Sequence, residues 1–171
     1  MGQKMNRKQV KAFLKVLSAD KSRTVSSAYI DEYKEKTVLV GTDGYILGAV
    51  YLDDGAKALV GKMVRRDALE RWYKLADSKS ELDSVELAKM IIEEENAHGN
   101  ASIGEYPAWK TIIPTTKDDD FAMAMSLDAS LMKTIQDLDG GKYLKLEFFE
   151  KNTPVIAKSE NGTYIICPVK S

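Results

Sequence analysis

A chain of 171 residues with 44% hydrophobic and 30% charged side chains has enough apolar material for a substantial core and is too hydrophobic for a disordered polymer. Its 25 basic and 26 acidic side chains leave a net charge of −1, which argues against bulk attraction to nucleic acid but leaves open how charge is spread over faces. The lone Cys167 excludes an intrachain disulfide, and no run approaches the roughly 20 apolar residues of a membrane span. With the polar, basic opening MGQKMNRKQ this leads us to expect a cytoplasmic protein.

The first segment, NRKQVKAFLKVLSAD, places Val10, Phe13, Leu14 and Leu17 at helical spacing. Lys8, Lys11 and Lys15 fall on the opposite side, joined by Lys4 if the helix starts early. One face therefore reads as core and the other as a basic stripe. Residues 26–53 change to β-prone runs, SAYIDEY, TVLVGTD and YILGAVYLD, punctuated at residues 34–36 and at Asp43-Gly44, and predict a small antiparallel meander. A second helix is expected near residues 67–77, with Leu69, Trp72, Tyr73 and Ala76 on one face and Arg71 and Lys74 pointing away.

VELAKMIIEEE reads as a strand or weak helix, followed by a polar loop, NAHGNASIGE. YPAWKTIIP then leads to DFAMAMSLD, where Phe121, Met123 and Met125 alternate with small residues as in a strand. A third helix, DASLMKTIQDLDGG, has Asp128 as cap, Leu131, Ile135 and Leu138 inward, and Gly140-Gly141 as its stop. KYLKLEFFE, PVIAK and TYIICPV finish the chain, the last two around Asn161-Gly162, a strong hairpin signal. The strand, helix, strands order recurs about three times, dividing the chain into units at 1–55, 56–114 and 115–171 within a single compact α+β body.

GTDGYILG, EYPAWKTIIP, SLDASLMKTIQDLDGGKYLKLEF and NGTYIICPVKS, in this order and spacing, resemble stretches of the bacterial DNA polymerase III β subunit, the sliding-clamp family. The resemblance touches most of the chain outside about residues 81–104 and implies a DNA-clamp fold, with helices on one face of antiparallel sheets. The chain is short for that family, as expected of a compact, phage- or mobile-element-type relative, and it carries Ile46 where family members usually have a basic residue.

The resemblance implies a replication accessory protein that does no chemistry and needs no cofactor. Copies of the chain would assemble around double-stranded DNA, with Lys8, Lys11, Lys15, Arg71 and Lys74 facing phosphates without reading sequence. Asp31, Glu32, Asp53, Asp54 and residues 93–95, expected in strands or loops, would keep the outer surface negative. The resemblance also implies a hydrophobic groove for short linear peptides of a polymerase or other replication proteins. Its matching positions are Thr42, Gly44, Tyr45, Leu47, Pro107, Ile112, Val155, Cys167, Pro168, Val169 and Lys170. A monomeric module that captures such peptides without encircling DNA is the alternative.

The residues themselves give little support to catalysis. His98 is the single histidine, in a polar stretch beside residues 93–95, and the glycines at 41, 44 and 48 open no phosphate-binding helix. Cys167, in a β-prone run beside Pro168, reads as packed or groove-lining rather than as a nucleophile.

Overall fold

Alternating side chains along three β-prone runs decide which residues face the helices and which face away. The computed structural model describes residues 4–20, 22–98, 105–113, 127–141, 143–149 and 153–167. In chain order these form β1 (Met5–Asn6), α1 (Arg7–Val16), β2 (Ala28–Tyr33), β3 (Lys36–Thr42), β4 (Ile46–Tyr51), β5 (Met63–Val64), α2 (Arg66–Leu75), β6 (Glu81–Leu82) and α3 (Ser84–His98). After a 3₁₀ turn at Trp109–Ile112 come α4 (Ala129–Asp139), β7 (Lys145–Glu147), β8 (Val155–Lys158) and β9 (Gly162–Ile166).

One seven-stranded antiparallel sheet, ordered β5-β2-β3-β4-β9-β8-β7, joins the first meander to the last. The joint is the β4–β9 ladder, which sets Ile46 opposite Ile166 and Leu47 opposite Ile165. Residues of all four helices bury against one face of this sheet, around Phe13, Leu69, Leu87, Ile135 and Leu138. The other face carries a second apolar cluster of Val38, Val40, Leu47, Ala49, Tyr51, Ile156 and Ile165, roofed by Tyr106, Trp109 and Ile113.

Local signals account for the helix ends. Asn6 and Gln9 form a reciprocal capping box at the start of α1. The other end is closed instead by a distant residue, Arg66, which donates from Nη1 to the carbonyls of Leu14 (2.9 Å) and Leu17 (3.0 Å). Asp128 caps α4, and Gly140, left-handed at φ 69°, ends it as expected of a glycine stop.

The segment read as strand or weak helix is a full helix, α3, in which Leu87, Met90 and Ile91 bury along one side. Asp83 caps it through Oδ1 to the amides of Val85 and Glu86, both at 3.1 Å. Residues 93–95 therefore lie in a helix and not in a strand or loop, and His98 is its last residue. Among the described residues, 56–114 hold two helices and two two-residue strands. α1 begins at Arg7, so Lys4 stands outside it and pairs instead with Glu81 (3.7 Å) and Asp83 (3.6 Å). The alternating stretch at residues 119–126 lies outside the described residues.

Candidate functional site

The basic stripe of α1 is real and outward. Arg7, Lys8, Lys11 and Lys15 are exposed while Val10, Phe13 and Leu14 are buried on the opposite side. α4 lies beside α1, bound to it by Gln9, whose Nε2 donates to the carbonyls of Leu138 (3.1 Å) and Asp139 (3.2 Å). Across this seam Lys8 meets Asp137 at 3.1 Å, and Lys133 meets the same carboxylate at 2.9 Å. Lys8 and Lys133 hold the Asp137 carboxyl below its ordinary pKa, Lys133 contributing most. Lys11 and Lys15 have no ion pair among the described residues.

The second expected basic face is partly neutralised. Arg71 donates to Glu94 at 2.6 Å and Arg65 meets the same carboxylate at 3.3 Å, because the acidic run continues α3 and lies against α2. Lys74 remains exposed and without an ion pair among the described residues. Arg7 was missed from sequence, although its i, i+4 spacing to Lys11 places it on the same stripe.

The residues expected to line a groove divide among three places. Thr42, Gly44 and Tyr45 form a tight turn at one end of the sheet. Its Asp43 Oδ1 accepts from the amides of Tyr45 (2.8 Å) and Ile46 (3.0 Å), and Thr42 Oγ1 donates to the Ile46 carbonyl (2.8 Å). Gly44 takes φ 99° there, a conformation open to glycine. Cys167 joins this end by donating its amide to the Tyr45 carbonyl at 3.2 Å; burial pushes its thiol pKa up, with Asp43 adding to the effect. Tyr45 is 73% exposed.

Leu47 is only 2% exposed, under the roof of the outer cluster. Val155 is fully buried and, opposite Ile166, faces the helices. Ile46 and Leu47 are thus both core, on opposite faces of β4. A side chain in either position offers no wall to an incoming peptide in this conformation. Pro107 and Ile112 are exposed on the roofing segment, and Pro168, Val169 and Lys170 lie outside the described residues.

Two open cavities of about 500 Å³ stand near these residues. One runs along the roof, lined by Tyr29, Asp31, Tyr106, Pro107, Trp109 and Lys110 among others. The other lies at the seam of α1 and α2, lined by Asn6, Arg7, Lys8, Lys11, Tyr73 and Ser78. Among the described residues no group of three or more His, Cys, Asp or Glu side chains is arranged to hold a metal ion. No helix there is long and apolar enough to cross a membrane.

No family model matches the sequence, and no curated protein does. Solved structures do match. The DNA polymerase III β sliding clamp of Bartonella birtlesii bound to griselimycin superposes with a TM-score of 0.60 at 12% identity, covering 99% of this chain and 66% of that one. This chain has the sliding-clamp fold. The β subunit of Thermotoga maritima gives 0.59 at 10% identity, with 99% and 65% covered, and the Bacillus subtilis clamp gives 0.57 at 10%, also with 99% and 65%. The chain thus spans about two thirds of the length of the clamps it matches. Identities this low carry the clamp architecture, with helices on one side of antiparallel sheets, and leave the site residues to be argued from this chain alone.

Proposed function

We propose that this protein is a sliding-clamp-like accessory factor of DNA replication, which holds duplex DNA against the outward face of α1 and α4 through contacts to phosphates. One observation carries the reading: Lys11 and Lys15, with Lys8 and Arg7, stand exposed on the helix side of a clamp-fold sheet whose opposite face is roofed. Contacts of this kind carry no sequence information and weaken steeply with salt, which suits a protein that moves along DNA. Copies of the chain would complete an enclosure around the duplex. A polymerase or another replication protein would dock by a short peptide at the turn formed by Thr42, Gly44, Tyr45 and Cys167.

The experiment is retention on circular DNA. Protein loaded on a nicked circle should stay bound through a wash at moderate salt and be lost when the circle is linearised. Release at the same rate from both forms sinks the ring, and a strictly monomeric mass at tens of micromolar does the same.

A monomeric module that captures peptides without encircling DNA is the second reading. Its support is the shortness of the sheet's edges: among the described residues β5 has two residues and β7 three, and short edges discourage pairing with another chain. It predicts peptide binding indifferent to the loss of Lys8, Lys11 and Lys15.

A further inference from the structure

The cavity at the α1–α2 seam differs from the rest of the basic stripe. Three cations, Arg7, Lys8 and Lys11, line it together with Asn6, Tyr73 and Ser78, and no carboxylate does. Arg7 is positioned there by α2: its guanidinium lies 4.5 Å from the centre of the Tyr73 ring, and its Nε donates to the Tyr73 carbonyl at 3.0 Å. Only Nε is used, so the two terminal amino groups have no hydrogen-bond partner among the described residues. Those two groups form the fork that matches phosphate oxygens. One turn on, at i+4, Lys11 has no ion pair among the described residues, while Lys8 both lines the cavity and meets Asp137. Like charges at i, i+4 on one helix repel, and among the described residues no carboxylate pairs with Arg7 or Lys11. The positive end of the α1 dipole adds to the same field.

We propose that this cavity seats one phosphate group, held by the free guanidinium edge of Arg7 and the ammonium of Lys11, with Lys8 as an outer charge and the Ser78 hydroxyl as a further donor. The phosphate is either a backbone phosphodiester of duplex DNA or the terminal phosphate of a small molecule. Its DNA source rests on the function proposed above, whereas the seat itself does not. If DNA supplies it, the basic face is not a uniform rail: one position grips harder than its neighbours, and an enclosing protein would pause there between steps.

The test uses the full chain, labelled with ¹⁵N and titrated with sodium phosphate against sodium chloride at matched ionic strength. Phosphate should give saturable amide shifts confined to residues 6–11 and 73–78. Lys11→Gln, which removes no hydrogen bond or ion pair among the described residues, should abolish them, and Arg7→Gln likewise. Lys57→Gln, an equal charge change on an exposed residue elsewhere, should leave them intact. Shifts that follow ionic strength alone, or that survive Lys11→Gln, overturn the seat.

A second arm measures affinity for a short duplex. A DNA source predicts that Lys11→Gln weakens binding about tenfold, against about threefold for Lys15→Gln, an ordinary member of the stripe. Equal losses for the two variants overturn the seat as a DNA contact while the DNA-holding function stands. Phosphate shifts without any duplex affinity assign the seat to a small-molecule phosphate and count against the DNA-holding function instead.

Discussion

The indole nitrogen of Trp109 donates to the Asp31 carboxylate at 2.8 Å, pinning the segment 105–113 across the outer face of the sheet. Lys110 meets the same carboxylate at 3.0 Å, and the Tyr106 ring stacks on Tyr29 with centroids 5.1 Å apart. Burial alone would raise the Asp31 carboxyl, but bonds from the Glu32 amide, Lys110 and Trp109 outweigh it and hold its pKa below the ordinary value. A lowered folded pKa means that the carboxylate contributes stability above its unfolded pKa of about 3.9, and that this is lost as pH falls through the folded value. Asp31→Asn should therefore speed amide exchange in residues 105–113 at pH 7 and make that exchange less sensitive to acid. Unchanged protection in the variant would show that the apolar contacts hold the roof without the ion.

The C-terminal edge should loosen in the same direction of pH. Glu147 bonds Lys158 and Lys145, which together bring its carboxyl down to about 2, Lys158 contributing most. Its contribution is complete above the unfolded pKa of about 4.3 and is lost as pH falls toward 2. Glu147→Gln should flatten the acid limb of the melting curve between those values. An acid limb identical to that of the wild type would count against this edge as a contributor.

Gly41 and Gly48 sit opposite each other in the β3–β4 ladder, where side chains of α1 and α4 press on the sheet. A Cβ on Gly41 would stand 2.8 Å from Leu17 Cδ2 and 2.9 Å from Phe13 Cζ. Gly41→Ala should cost about 1–3 kcal/mol by overpacking. Chemical denaturation gives the number, and a neutral result would mean that α1 shifts freely.

Lys34 and Glu35 make the two-residue turn between β2 and β3 with φ values of 50° and 63°, a left-handed pair that usually calls for Asn-Gly. Replacing them by Asn-Gly should raise stability by about 1–2 kcal/mol. The melting temperature reports it directly, and a fall would show that the Lys34 contact with the Tyr33 ring matters more than the backbone.

Leu47 and Tyr45 separate packing from recognition. Leu47→Ala should destabilise by about 2–5 kcal/mol through the cavity it leaves in the outer cluster. Tyr45→Ala should change stability by less than about 0.5 kcal/mol and still weaken capture of a clamp-binding peptide. Unaltered capture by the Tyr45 variant would remove the turn as the docking point.

Hydrophobic period, capping residues and turn dipeptides determine much of this protein in the sequence itself. They place Val10, Phe13 and Leu14 inward on α1, end α4 at Gly140 and set both meanders, because each signal acts within a few residues. The basic side of α1 follows from the same period. α3 was also within reach, since Asp83 followed by Glu86 and the spacing of Leu87, Met90 and Ile91 are helical signals. Met90, Ile91 and Ile92 in succession, parted from Leu87 and Ala88 by Lys89 alone, also read as a short buried strand.

Only the tertiary structure decides which of two apolar strand faces a distant segment covers. Leu47 lies under the roof because Tyr106, Trp109 and Ile113 land on β3 and β4, a contact about 60 residues away along the chain that no local pattern encodes. The same holds for charge. Arg71 and Lys11 look alike in sequence, yet Arg71 is neutralised by Glu94 across the α2–α3 contact, while Lys11 opens onto a cavity that only the meeting of α1 with Tyr73 creates.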